Sequence, residues 1–136
     1  MLGIDTAYRN NYTDKEIVTI AAEEKRVVLT RDVGLLKHKC IAHGYWLRSQ
    51  QPEEQLTEVT KRFSLCYCIQ PFSRCMACNG ELHSVEKEEI IHELLPLVRE
   101  YYNEFYQCSQ CKKIYWKGSH FENMQQFITA IKSVCG

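Results

Sequence analysis

Over residues 1–63, short apolar runs alternate with stretches whose apolar positions recur at helical spacing, the pattern of strand-then-helix units. Gly3 to Tyr8 reads as a short strand. Thr13-Asp14-Lys15-Glu16 reads as a capping box, with Thr13 as N-cap and Glu16 reaching back from the third helical position. The helix it opens offers Ile17, Val18, Ile20 and Ala21 to a core and ends near Glu24. Val27-Val28-Leu29 is a compact apolar run bounded by charge, as in a buried parallel strand. Asp32 then caps a short helix from Val33 to about Lys39, and Tyr45-Trp46-Leu47 forms the next strand. Pro52 starts a helix carrying Leu56, Val59 and Phe63 on one face. These repeated units predict an α/β fold, a parallel sheet with helices packed on it.

Residues 64–74 read as a joint, which divides the chain into an α/β domain over 1–66 and a second module over 67–136. In that module Ile90, Ile91, Leu94 and Leu95 share one apolar face, and Pro96 interrupts it before Val98, Tyr101, Tyr102 and Phe105. Tyr106 to Cys108 and Lys113 to Trp116 read as two strands. Ser119-x-x-Glu122 reads as a second capping box, opening a helix that packs through Met124, Phe127, Ile128, Ile131 and Val134.

Composition narrows the class. Seventeen basic residues balance seventeen acidic ones, so the whole molecule carries no general attraction for polyanions. The distribution is uneven. Acids dominate between Glu81 and Glu104, whereas Lys112, Lys113, Lys117 and Lys132 face only Glu122 towards the end. A polyanion would meet the C-terminal part. No apolar run reaches the length of a membrane span. The opening residues read neither as a basic leader nor as an apolar one, so a cytoplasmic protein is expected despite eight cysteines.

Two Cys-x-x-Cys knuckles, Cys75/Cys78 and Cys108/Cys111, carry the strongest chemical signal. Each short loop turns two sulfurs towards one point, and four thiolates make the closed tetrahedral set of a structural zinc. The competing readings are two disulfides or four buried thiols. The module is therefore expected to be a zinc ribbon with a helical insert between its knuckles. Cys40, Cys66, Cys68 and Cys135 are expected to be small buried hydrophobes, with Cys66-x-Cys68 an alternative accessory metal or redox pair.

Carboxylates supply the other candidate chemistry. In open α/β sheets ligands sit beyond the carboxyl ends of the strands. Asp32 follows Leu29-Thr30-Arg31 there, and Asp14 opens the helix before that strand. Asp5 is less favourably placed. Converging carboxylates favour a hard cation such as magnesium or manganese, which activates water for attack on a phosphodiester. The plainer reading is that Asp32 and Asp14 serve as helix starts.

Taken together, four stretches resemble the PIN-like ribonuclease domain at the C-terminus of the exonuclease Mut-seven. They are Met1-Leu-Gly-Ile-Asp-Thr, Leu29-Thr30-Arg31-Asp32, Phe72-Ser73-Arg74-Cys75-x-x-Cys78-Asn79-Gly80 and Tyr115-Trp116-Lys117-Gly118-Ser119-His120. The resemblance implies a PIN-like α/β domain followed by a zinc ribbon, with metal-dependent cleavage of RNA. It implies Asp32 and Asp14 as catalytic acids, and Cys75, Cys78, Cys108 and Cys111 as zinc ligands. For Arg31, Lys117 and His120 only substrate contact is inferred. Family members begin earlier, with an apolar strand ending in an Asp of the metal site and then a basic helix. Against that pattern a truncated sheet is expected, with the missing segment absent, supplied by a partner chain, or made unnecessary by a rebuilt sheet. Two functions follow: a divalent-metal-dependent ribonuclease, or an inactive zinc-ribbon module binding RNA or a protein partner through Lys112, Lys113, Lys117, Tyr115 and Trp116. A purely structural ribbon in an assembly adaptor is the third.

Overall fold

The computed structural model of the protein describes residues 1–135. It is a mixed α/β structure divided into two compact units, Ala7–Ser64 and Met1–Thr6 together with the chain from Leu65 onward. The partition falls after Ser64 and places Met1–Thr6 with the later residues.

The Ala7–Ser64 unit begins at α1 (Asp14–Glu23). Its capping box closes as the sequence predicts: Thr13 Oγ1 accepts from the Glu16 N–H at 3.2 Å, and Glu16 accepts from the Thr13 N–H at 2.7 Å. Strands β1 (Val28–Thr30) and β2 (Gly44–Trp46) pair in parallel, Leu29 opposite Tyr45. Between them lies α2 (Val33–Leu36), shorter than the helix to Lys39 that the sequence predicts. Val18, Ala21, Val28 and Leu35 form the buried cluster, with Ile17, Leu36 and Ile41 packed against it. Helix α3 (Pro52–Arg62) starts at its proline. Tyr45 donates from its hydroxyl to Glu58 at 2.8 Å, and Arg48 bonds the same carboxylate at 2.8 Å, which ties β2 to α3. The sheet is parallel as expected, with two strands among the described residues.

Gly3 to Tyr8 is not a strand. The segment is held instead through its backbone, Leu2 accepting from the Gln70 N–H at 2.9 Å. Gly3 has φ +76°, and a Cβ there would collide with the Gln70 carbonyl and the Ser73 hydroxyl, so only glycine fits. Asp5 accepts from Asn79 Nδ2 at 2.9 Å and lies 3.4 Å from the Arg74 guanidinium, which fastens the first residues to the loop of the first knuckle.

The rest of that unit is a three-stranded antiparallel sheet, β3 (Leu82–Val85), β4 (Phe105–Cys108) and β5 (Ile114–Tyr115), in that order. Strand β3 was not predicted. Its sequence, Leu-His-Ser-Val, is half polar and exposed, and pairing with β4 makes it a strand. The insert between β3 and β4 holds α4 (Lys87–Ile90) and α5 (Pro96–Tyr101), joined by a single 3₁₀ turn. Ile90, Leu94 and Phe105 are buried together, with Val85, Val98, Tyr102, Ile114 and Trp116 packed around them. Leu95 points outward, 69% exposed, so the expected four-residue apolar face divides.

Helix α6 (Ser119–Cys135) buries Ile128 and Ile131. Ser119 is its first residue instead of its cap, because the Glu122 N–H bonds to the Gly118 carbonyl at 3.1 Å. Cys66 and Cys135 form a disulfide, while Cys40 and Cys68 are exposed, so none of these four is a buried free thiol. The bridge anchors the last turn of α6 to the 3₁₀ turn Leu65–Cys68. No helix among the described residues is long and apolar enough to cross a membrane.

Phe105 is 1% exposed at the centre of its cluster, so Phe105→Ala should destabilise the protein by about 3–5 kcal/mol. Thr60 is 1% exposed and its Oγ1 finds no partner among the described residues. Thr60→Val should therefore stabilise by roughly 1 kcal/mol. Urea unfolding of both variants against the parent checks the opposite signs.

Candidate metal centre

The two knuckles are built alike. In each, the first cysteine's carbonyl accepts from the N–H four residues on: Cys75 from Asn79 at 2.9 Å and Cys108 from Lys112 at 3.1 Å. Asn79 and Lys112 both take left-handed backbone, φ 64° and 65°, which reverses the chain after the second cysteine. Amide N–H groups point at the sulfurs: Ala77 to Cys75, Gly80 to Cys78 and Gln110 to Cys108, at 3.3 to 3.4 Å.

Sheet register joins the two turns. Leu82 pairs with Cys108, and the Ser109 N–H reaches back to the Glu81 carbonyl at 2.9 Å. The exit of one knuckle thus lies beside the entrance of the other. The sulfurs of Cys75, Cys78, Cys108 and Cys111 consequently all lie within 4.8 Å of one another. The Cys75–Cys111 and Cys78–Cys108 separations are 3.6 and 3.4 Å. A tetrahedral zinc with sulfurs at about 2.3 Å sets them roughly 3.8 Å apart, so the cluster fits such an ion. None of the four is in a disulfide. The donor set fits too: soft thiolates in a closed group of four are able to hold a metal ion such as zinc.

Space around the sulfurs is tight. A Cβ on Gly80 would stand 2.8 Å from Cys108 Sγ and 3.2 Å from Cys78 Sγ. Tyr115, from β5, brings its hydroxyl to 3.0 Å from Cys75 Sγ and accepts from the Met76 N–H at 3.0 Å. It is half-buried, not the exposed stacking residue the sequence suggests. Trp116 is half-buried as well, its ring 6.5 Å from that of Phe105.

Without a metal the four thiols share protons unequally. Burial opposes ionisation of Cys75, but hydrogen bonds from Tyr115 and from the backbone of Cys78 and Ala77 outweigh it and bring its thiol down to about 6. Cys111 moves the other way, to about 11: a backbone bond near Lys113 lowers it, but burial and the three neighbouring sulfurs prevail. Burial, then the thiolate of Cys75, pushes the Tyr115 hydroxyl up as well.

The two candidate carboxylates both stand at helix starts. Asp32 caps α2, its Oδ1 accepting from the Gly34 and Leu35 N–H groups at 2.8 and 3.4 Å. Asp14 is the first residue of α1 and is exposed. Among the described residues, neither belongs to a group of three or more side chains able to share one metal ion. Arg31 donates to the Arg48 carbonyl at 2.6 Å. These three lie in the Ala7–Ser64 unit, whereas Lys117 and His120, both exposed, lie with the cysteines in the other. Sequence reasoning missed Gly80, Tyr115 and Asp5 as supports of the first knuckle. The Asn79-Gly80 pair after Cys78 was the available signal, since such dipeptides mark tight turns.

The chain thus pairs a small parallel α/β unit with an antiparallel sheet whose four cysteines are able to hold a metal ion. The chain belongs to the Mut7-C RNAse domain family, whose sequence model matches residues 1–128. No curated protein and no solved structure matches it.

Gly80→Ala should lower metal affinity and leave the four thiols in place, as read by metal content after dialysis against a chelator. In the metal-free protein, the folded Cys75 thiol lies below the ordinary 9.0. The stability it contributes is therefore present above pH 9 and is lost as the pH falls through about 6. Urea titrations of the metal-free chain across that window check the sign.

Proposed function

We propose that the chain is a metal-dependent ribonuclease of PIN-like type, acting on RNA phosphodiester bonds, with zinc at Cys75, Cys78, Cys108 and Cys111 as a structural ion. The observation that carries this reading is membership of the Mut7-C RNAse domain family over residues 1–128. Asp32 is the principal catalytic carboxylate and Asp14 the second; Arg31, Lys117 and His120 contact the substrate. Asp32 follows a parallel strand, where ligands of open α/β sheets gather, and its Oδ2 accepts no hydrogen bond from a described residue. Magnesium is commonly held by one or two carboxylates plus substrate phosphates, so a third protein carboxylate is not required. The cation would supply an activated water and charge stabilisation at the phosphate. The chain's own part is to present the Asp32 carboxyl group after β1, held at its place by the two amides it caps.

A second reading is an inactive zinc-ribbon module binding RNA or a protein. It is favoured by the absence, among the described residues, of a carboxylate cluster around Asp32.

Asn caps a helix about as well as Asp, so Asp32→Asn keeps α2 while removing the charge. Purified protein should cut single-stranded RNA with manganese present, and Asp32→Asn should lower the rate at least about a hundredfold without shifting the melting temperature. Equal cutting by both proteins removes Asp32 from the mechanism. Salt-sensitive RNA binding without any cutting establishes the second reading.

A further inference from the structure

The unit that carries the four cysteines also contains a cavity of about 430 Å³, within the ~300–1,000 Å³ range of small-molecule sites. Neither Asp14 nor Asp32 lines it. Its walls are largely aromatic, from Phe72, Tyr102, Tyr115, Trp116 and Phe121. Phe72 organises them. Its ring stands edge-to-face with Tyr106 at 4.8 Å, Phe121 at 4.9 Å and Tyr115 at 6.2 Å. Its backbone takes φ 62°, a conformation costly for a bulky residue and maintained by this packing.

The polar lining is one-sided. Lys113 and Arg74, the latter paired with Asp5, are its charged side chains, His120 stands among them, and no Asp or Glu lines it among the described residues, in a chain with equal acids and bases overall. Cations also flank the rings. Lys113 Nζ lies 5.7 Å from the Tyr115 centroid, and Lys117 Nζ lies 5.6 Å from that of Phe121. Aromatic faces for a flat heterocycle beside ammonium groups for its phosphates are the usual means of holding single-stranded nucleic acid. A double helix keeps its bases stacked, and offering one to a concave site costs unstacking and unpairing that a single strand largely avoids.

We propose that this cavity receives one unstacked nucleobase of a single-stranded RNA, with Lys113 and His120 on the adjoining phosphates. The inference rests on the ribonuclease reading for the choice of RNA. It adds a substrate subsite in the cysteine-bearing unit that works whether or not Asp32 cleaves.

The test uses the full zinc-loaded chain and a short oligouridylate carrying one 5-iodouridine, without manganese. Irradiation should place adducts on Phe72, Tyr115, Trp116 or Phe121. Lys113→Ala, which removes a cation, and Gln125→Trp, which fills the cavity from an exposed lining position, should each weaken binding about tenfold. Metal content and melting temperature of Lys113→Ala should match the parent, so a folding defect in Gln125→Trp does not decide the matter. An abasic strand of equal length should bind the parent at least about tenfold more weakly than the oligouridylate. Adducts confined to residues 7–64, or equal binding of the abasic strand, overturn the subsite and leave the ribonuclease reading standing. Absence of both RNA binding and cutting overturns the two together.

Discussion

The pairing of Leu82 with Cys108 is the contact on which the cysteine-bearing unit turns. A knuckle alone presents two sulfurs to solvent. Only when β3 lies against β4 do the two turns face each other, and a slip of one residue would point alternate side chains to the opposite face. The cost of that convergence is electrostatic. Four thiolates within 4.8 Å repel one another, and the metal-free chain relieves this by ionising Cys75 readily and holding the proton on Cys111. A divalent ion removes the conflict by neutralising the sulfurs, which is why such sites contribute folding energy directly. Gly80 and Tyr115 then have one meaning between them: the first leaves room for the sulfurs and the second donates to one of them.

The unit buries Ile90, Leu94 and Phe105 together, and Ile128 and Ile131 on α6, but the helices of the insert are only one or two turns long. Short helices have little stability of their own and depend on packing. Three ties compensate. The sulfur cluster closes one end, the Cys66–Cys135 bridge holds the last turn of α6, and Asp5 with Gly3 secures the first residues to the loops around the first knuckle. The Ala7–Ser64 unit relies on burial instead, with Val18, Ala21, Val28 and Leu35 packed between helices and a two-stranded sheet.

Membership of the Mut7-C RNAse domain family directs attention to RNA, and the two units offer it different chemistry. The α/β unit has exposed carboxylates at helix starts, where a helix dipole already favours negative charge. The cysteine-bearing unit has cations beside aromatic rings and a concave wall free of described acids. In the proposed reading Asp32 serves a metal-assisted step on a phosphate and the aromatic wall grips a strand. Neutral net charge is consistent with this division, because acids are gathered in the insert and cations near the second knuckle.

Features set by local chemistry were legible in the residues. The Thr13 box, the Asp32 cap, the proline start of α3, the parallel β1 and the four-cysteine set all follow from a few neighbouring side chains. Features set by long-range partners were not. Strand β3 carries no strong periodicity and exists through β4, while Gly3 to Tyr8 has a strand's composition but meets Gln70 and Ser73 in place of a strand partner. Cys66 and Cys135 pair across the whole module, a distance over which spacing is silent. The sequence by itself determined which groups can bind a metal and where helices start, because those depend on adjacent atoms. Tertiary structure alone decided that the sulfurs meet beside Tyr115, that Phe72 gathers an aromatic wall, and that neither Asp14 nor Asp32 joins a group of three or more metal-binding side chains among the described residues. Each of those depends on chain segments far apart in sequence being brought to the same place.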